Sequence, residues 1–356
     1  MDMERSGSAV EVGQEPPVAA ERAGRRWFRS RWARLTALIG ALVLVIVTGG
    51  GGVGAWLYVR SLEHQVRKVD AFHGIVEEQR PVRAADEAIN FLVVGRDQAA
   101  GTDATSRTDS IMLVHVAHSR DRAQLISIPR DTWTTVPASS DGGAPTEAKI
   151  NAAYAWGGTP LLVRTIEGFT GVRIDHVVLL DFVGFTKVID MLGGVDVTVD
   201  RRFTSAASAG RVYEPGVHRM NSAVALEYAR ERHQFADGDY SRMRHQQAIV
   251  AAVLREVARK GILTSPNQLD NFLRGIVGAV EVDHDMSISQ TAWDLRQIGA
   301  DDITFLTCPN TGVGMVGDQS VIFPDPAAAA KLFTAVRQDT MGEWLAENPG
   351  TVNPPN

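Results

Sequence analysis

The sequence predicts one α/β domain behind a single N-terminal transmembrane helix. Three observations carry this. Residues 35–58 form a run of 24 positions without a charge. After residue 88, short β-rich apolar runs recur, such as INFLVV and AQLISI. Helix-length stretches alternate with them over about 250 residues, a pattern that fits one α/β domain better than two.

The elements follow in chain order. Residues 1–34 hold seven arginines against five acids and read as a cytoplasmic basic tail. Leu35–Tyr58 is long enough to cross a hydrocarbon core of about 30 Å as a helix. The arginines before it, and Trp27, Trp32, Trp56 and Tyr58 around it, mark a signal anchor with the N-terminus inside. The run is too long for a cleaved signal peptide, and no clear cleavage site follows. The expected location is therefore the cell membrane, single-pass, with the C-terminal bulk extracytoplasmic.

Residues 59–87 read as a stalk or linker, helical up to Pro81. The domain proper spans 88–340. INFLVV, SIMLVHVA and AQLISI read as three strands, the last two joined as an antiparallel hairpin through Ser119–Arg122. Helices follow near 159–169 and 182–192, with DHVVLL and VDVTV as strands around them. A helix opening at Asn221 is expected to end before Arg230. Further helices are expected near 241–260, 267–279, 287–298 and 326–337, and late strands at DITFLTC and SVIF. Residues 341–356 are expected to be disordered.

Composition narrows the function. At 44% hydrophobic and 22% charged, the chain is too apolar for disorder and too mixed for a polytopic membrane protein. A net charge of −6 gives no support for nucleic acid as a partner. The one cysteine, Cys308, excludes an intramolecular disulfide and any cysteine-cluster metal site, and is expected to be buried. GVGMVG at 312–317 leads toward a strand rather than opening a helix, so a dinucleotide-binding reading fails. His115 and His118 read as structural.

Chemistry concentrates in two places. Asp97 follows the first strand, Asp109 begins the second, and Arg130 and Asp131 follow the third. The hairpin brings Asp109 and Arg130 to one sheet edge, and antiparallel pairing of the first two strands would add Asp97, with Arg107 beside them. Facing carboxylates repel unless a cation separates them, and hard oxygen ligands suit Mg²⁺ or Mn²⁺. The second place is 228–247. Asp239, Arg242 and Gln246 share one helix face, opposite an apolar stripe from Ile249 onward. Arg230 and Arg232 point the same way only in extended chain.

Arginine suits bidentate phosphate contact. Five arginines (107, 130, 230, 232, 242) against Asp97, Asp109, Asp131 and Asp239, plus one Mg²⁺, leave +3, a balance suited to a diphosphate diester. Phe182, Phe185, Val188, Ile189 and Leu192 could line a lipid groove, but core packing is the better expectation.

These stretches resemble the LytR-CpsA-Psr family. The residues that carry the likeness are NFLVVGRD (90–97), RTDSIMLVHV (107–116), LISIPRDTW (125–133), KINAAYAWGG (149–158), GVRIDHVVLLDFVGFTKVIDMLGGVDVTV (171–199) and ALEYARERHQFADGDYSRMRHQQ (225–247). The resemblance implies a three-layer α/β/α fold around a central mixed sheet with a polyprenyl pocket. It implies transfer of an undecaprenyl-diphosphate-linked anionic glycopolymer to the C6 hydroxyl of peptidoglycan N-acetylmuramic acid, releasing undecaprenyl phosphate. The polymer could be teichoic-acid-like, capsule or arabinogalactan.

By motif, Asp97 and Asp109 would bind Mg²⁺. Arg107, Arg130, Arg230, Arg232, Arg242 and Gln246 would hold the diphosphate. Asp239 would orient the arginines or act as a base, and Asp131 pairs with Arg130 in its motif. His245 and Ser222 depart from residues common in the family. A lipid-diphosphate pyrophosphatase and a non-catalytic envelope sensor or transcriptional attenuator are the alternatives.

Overall fold

The computed structural model describes residues 66–83, 87–96, 108–139, 142–206, 210–231, 235, 239–262, 265–277 and 280–353. The basic tail, the apolar run 35–58 and the first part of the stalk lie outside the described residues. Among those described, no helix is long and apolar enough to cross a membrane.

Strand β1 (Arg67–Val69) precedes the consecutive strands β2 (Ile89–Arg96), β3 (Thr108–Val116) and β4 (Ala123–Ile128). A small hairpin, β5 (Trp133–Val136) and β6 (Thr146–Lys149), leads into helix α1 (Ala152–Thr170). Then come β7 (His176–Asp181), α2 (Phe182–Met191), β8 (Val195–Val199), β9 (Phe203–Thr204), β10 (Val212–Tyr213) and β11 (Gly216–Met220). Helices α3 (Ser222–Arg230), α4 (Asp239–Arg259) and α5 (Pro266–Val277) precede β12 (Val280–Asp283), α6 (Ile288–Leu295) and β13 (Ile303–Thr307). The hairpin β14 (Asn310–Val316) and β15 (Gln319–Pro324), helices α7 (Pro326–Arg337) and α8 (Met341–Glu347), and β16 (Val352–Asn353) complete the described chain.

The main sheet is mixed, in the order β1-β12-β7-β2-β3-β4-β13-β16. Alternation along its strands feeds both faces. Leu92 and Val94 of β2, Ile111 and Leu113 of β3, and Ile126 and Ile128 of β4 pack with residues of α1 and α7, among them Leu162 and Phe333. Met112, Leu125 and Phe305 turn the other way and meet Ala251 of α4. Phe91, Val116 and Val282, also on that side, meet Ile288 and Leu295 of α6. Helices thus cover both faces of a central mixed sheet, as the family resemblance implies.

Between β7 and β12 the chain builds a second core. Ile189 and Leu192 of α2, Val195 and Val197 of β8, Tyr228 of α3 and Ile249 of α4 are its buried centre. Helix α4 serves both the sheet and this second core, because Ala251 packs on the sheet with Met112, Leu125 and Phe305, and Ala248 and Ala252 belong to the second core.

Four expectations need correction. The stalk is not an α-helix where it is described: it holds only a 3₁₀ turn at Glu77–Gln79, β1 adds a parallel strand to the sheet edge beside β12, and Val66 is buried with Phe91 and Val282. The tail is not disordered through residue 353. Helix α8 buries Met341 against the first core, and β16 pairs with β13 through Phe305–Asn353. Helix α3 runs through Arg230 and turns extended only at Glu231.

Finally, α1 begins seven residues before the expected start. Gly157 and Gly158 break its regular geometry, Gly158 at φ 62°, ψ −154°, and the expected helix is the part after that break. Only glycine adopts this backbone readily. A Cβ on Gly157 would also sit 2.7 Å from that of Leu161.

Candidate active site

One end of the sheet gathers the candidate residues. The C-terminal ends of β2, β4, β7 and β13 lie there, with the N-terminal ends of β3, β12 and β1. At this end the β2–β3 ladder shifts register. Gly95 opposes Ser110, but Arg96 opposes Thr108, so Asp109 is the extra residue of a bulge. A bulge re-aims its side chain out of the regular alternation. Arg130, two residues past β4, donates from Nη1 to Asp109 Oδ1 at 2.6 Å. The hairpin geometry therefore delivers the aspartate–arginine meeting expected from sequence.

Behind this pair lies a cavity of about 360 Å³. Its polar lining includes Asp109, Arg130, Arg230, Arg242 and Gln246, five of the predicted site residues. Arg242, Gln246 and Val250 reach it from successive turns of α4, at i, i+4 and i+8. Arg230 comes from the last turn of α3, its guanidinium carbon 4.5 Å from the ring centroid of Phe182. A cation over an aromatic face is held without spending its hydrogen-bond donors.

Most of the remaining lining is apolar. Val93, Met112, Leu180, Phe185 and Leu226 join Phe182 and Val250 beneath the charged residues. Phe182 and Phe185 thus fit the groove alternative, and Phe185 also packs against the second core as the core-packing expectation has it. Ile189 and Leu192, a turn further on, are fully buried core. The four residues fall at i, i+3, i+7 and i+10 on one face, so position along the segment, and not helical phase, separates the two roles.

Gly95 also lines the cavity, and a Cβ there would lie 3.1 Å from Ser110 Cβ. The cavity wall at this point is backbone because the strands approach too closely for a larger residue.

Not every predicted residue converges. Asp131 sits beside Arg130, with its Oδ2 3.8 Å from Arg130 Nε. Its Oδ1 takes Lys149 Nζ of β6 at 3.1 Å, so it anchors the small hairpin and is not part of the cavity lining. Asp97, Arg107 and Arg232 lie outside the described residues. For Asp239 only the backbone is described, at the first residue of α4, one turn before Arg242.

Two residues that sequence reasoning missed also line the cavity. Asp181 caps α2, accepting from Gly184 N at 2.7 Å. Arg96 is buried at the lip, its Nη2 2.7 Å from Glu281 of β12 and its Nη1 3.4 Å from the Tyr154 hydroxyl of α1. Burial works against its charge, but the hydrogen bonds to Tyr154 and Glu281 outweigh this and raise its pKa. The only sequence signal was an arginine directly before Asp97 at a strand end.

Asp109 is a fitting cation ligand. Arg130 takes Oδ1, and Oδ2 has no hydrogen-bond partner among the described residues. A carboxylate oxygen at the cavity lip is the donor that Mg²⁺ or Mn²⁺ prefers.

Beside the cavity, His245 is buried in an aromatic cluster. Its ring stacks on Phe203 at 5.6 Å and lies 4.2 Å from Tyr228 and 5.2 Å from Phe235. Burial, with Arg244 nearby, lowers its pKa to about 4. Further off, His115 is buried between Asn90 and Asp339, and His118 meets Glu87, both structural as expected. Cys308 is buried, and burial pushes its thiol up to about 12.

Residues 60–338 match the LytR_cpsA_psr family. The chain belongs to that family. The regulatory protein MsrR of Staphylococcus aureus is 32% identical over 244 residues, 68% of each chain. Halalkalibacterium halodurans TagU, named as a polyisoprenyl-teichoic acid–peptidoglycan teichoic acid transferase, is 31% identical over 64% of this chain and 72% of its own. The crystal structure of B. subtilis TagV superposes with a TM-score of 0.60 at 25% identity, covering 72% of this chain and 98% of that one. The LytR_cpsA_psr match takes in every residue named above as lining the cavity.

Proposed function

We propose that this protein is a glycopolymer phosphotransferase of the cell envelope. It moves an anionic polymer from a polyprenyl diphosphate to the C6 hydroxyl of N-acetylmuramic acid in peptidoglycan. The single observation that carries this reading is the cavity's division into a charged lip and an apolar body. Four arginines against two aspartates leave its described lining at +2, opposite in sign and equal in size to the charge of a diphosphate diester. The transferase name of the relative TagU supports the same reaction class.

In this reading the prenyl chain lies along Phe182, Phe185, Leu226 and Val250. Arg130, Arg230 and Arg242 grip the diphosphate oxygens. The glycan hydroxyl oxygen attacks the polymer-side phosphorus and forms a new P–O bond. The bond from that phosphorus to the bridging oxygen breaks, the lipid phosphate leaves with its electron pair, and the hydroxyl proton passes to a carboxylate or to solvent. Such a transfer needs positioning and neutralisation more than covalent help, and guanidinium groups gathered along one cavity supply both. Asp109, already accepting a hydrogen bond from Arg130 through one oxygen, is placed to serve as a ligand through the other. Asp97 and Asp109 would hold Mg²⁺ or Mn²⁺, which would contribute further charge neutralisation at the diphosphate.

The apolar run 35–58 would anchor the chain in the bilayer with this domain outside the cytoplasm, where the lipid-linked donor and peptidoglycan are both within reach. The test is product analysis. Full-length protein in vesicles is given labelled lipid-linked polymer and peptidoglycan fragments. Label in a phosphodiester on muramic acid is the expected product. Label found only as hydrolysed polymer would support the pyrophosphatase reading.

A further inference from the structure

The motif GVGMVG has no part in the chemistry above, and its fold is unusual. It forms most of β14 and pairs with β15 in a hairpin. A surface strand ordinarily buries its large apolar residues and exposes its small or polar ones. Here the order is inverted. Gly314 lies against the Phe323 ring, where a Cβ would approach to 2.6 Å. Val313 and Met315 point outward, 64% and 60% exposed.

The hairpin stands at the active-site end of the sheet. Ile322 N of β15 donates to Asp131 O at 2.9 Å, and Val313 is the ladder partner of Ile322. Two more exposed apolar residues share that end. Val183 follows the cavity residue Phe182. Trp156 lies in the first turns of α1, whose start is tied to Arg130 by a bond from Asn151 N.

The chain also arrives at this end. β1 runs parallel to β12 with Arg67 opposite Glu281, so Val66 lies toward the cavity lip. Seven residues, 59–65, separate Val66 from the apolar run 35–58. They can span at most about 25 Å.

We propose that the active-site end of this domain docks onto the phospholipid bilayer, with Trp156, Val183, Val313 and Met315 entering the interface around the cavity mouth. The proposal rests on reading 35–58 as a membrane span and the cavity as a polyprenyl site. Tryptophan and exposed aliphatic side chains favour the interfacial region, and the short tether leaves this end of the sheet nearest the lipid. Docking would let a prenyl chain pass from bilayer to cavity without crossing water.

The test uses full-length protein in phosphatidylglycerol vesicles. Single cysteines are introduced by Trp156→Cys, Val183→Cys, Val313→Cys and Met315→Cys and labelled with an environment-sensitive fluorophore. Native Cys308, buried and with a raised pKa, stays unlabelled. Trp293→Cys is the control. Trp293 is 62% exposed on α6, and its neighbour Asp294 lies 3.9 Å from Arg120 in the β3–β4 turn, at the opposite end of the sheet.

Doxyl-labelled acyl chains should quench the four site-end labels several-fold more than the label at 293. Equal quenching at all five positions, or none, would overturn the docking. In a second arm, Val313→Ser with Met315→Ser should slow transfer from a vesicle-embedded donor about tenfold, while a water-soluble short-prenyl donor reacts at the unaltered rate. Equal losses with both donors would also overturn it. Quenching in a protein that transfers no polymer contradicts the proposed function alone, and transfer without quenching contradicts the docking alone.

Discussion

Arg96 shows how much one side chain at a strand end can decide. Its guanidinium is buried, and Glu281 is its carboxylate partner at the cavity lip. Removing one member of a buried pair leaves the other charge uncompensated, at a cost of about 3–5 kcal/mol. Glu281→Gln should therefore lower the thermal midpoint by several degrees, while an exposed-pair variant such as Glu214→Gln should leave it nearly unchanged. Scanning calorimetry of the two variants checks this. At Arg242 the expected loss is catalytic instead. Arg242→Ala should reduce polymer transfer by about 100-fold, the usual scale for removing a fixed cationic donor from a phosphoryl-transfer site. Steady-state kinetics with the lipid-linked donor measures it.

His245 gives a prediction in pH. Its pKa is lowered from 6.5 to about 4 because the folded protein buries the ring. Below pH 6.5 the unfolded chain binds a proton that the folded chain refuses. Stability should thus fall as the pH drops from 6.5 toward 4 and level off below, by up to about 3 kcal/mol. His245→Phe, which can keep the ring stacking, should flatten that part of the profile. Unfolding midpoints at pH 7.5 and pH 5 for both proteins give the comparison, and an unchanged slope in the variant would exclude His245 as its source.

At the scale of elements, the strands of the central sheet were legible because alternation and turn residues coincide. INFLVV, SIMLVHVA and AQLISI became β2, β3 and β4 almost to the residue. The meeting of Asp109 with Arg130 followed from the short turn at Ser119–Arg122. The Asp109 bulge did not, because a one-residue register shift leaves no mark on hydrophobic period. Nor did the partition of α2, whose apolar residues look alike until the cavity claims its first turn and the second core its last. β1 and β16 were missed since three- and two-residue strands carry no periodic signal, and their pairing is decided by distant partners. Gly95 follows the same logic. Gly95→Val should crowd Ser110 and narrow the cavity, raising KM for the prenyl donor more than it lowers kcat. Donor titrations with wild type and variant separate the two effects.

In the whole molecule, one cavity joins two environments, charged and apolar. Residues from β2, β3, β7, α2, α3 and α4 must all be in place to form it, so its existence is a property of the packed domain and of no single motif. Family membership and the mixed-sheet fold make the cavity's location intelligible, and its lining proposes its use.

The measurement that bears most directly on that use is the affinity of full-length protein for a short polyprenyl diphosphate, compared with inorganic diphosphate. The account predicts that Arg242→Ala weakens both, whereas Phe185→Asp weakens only the prenylated ligand. Wild-type affinity that ignores the prenyl chain, or an Arg242→Ala protein that binds both ligands as tightly as wild type, would contradict it.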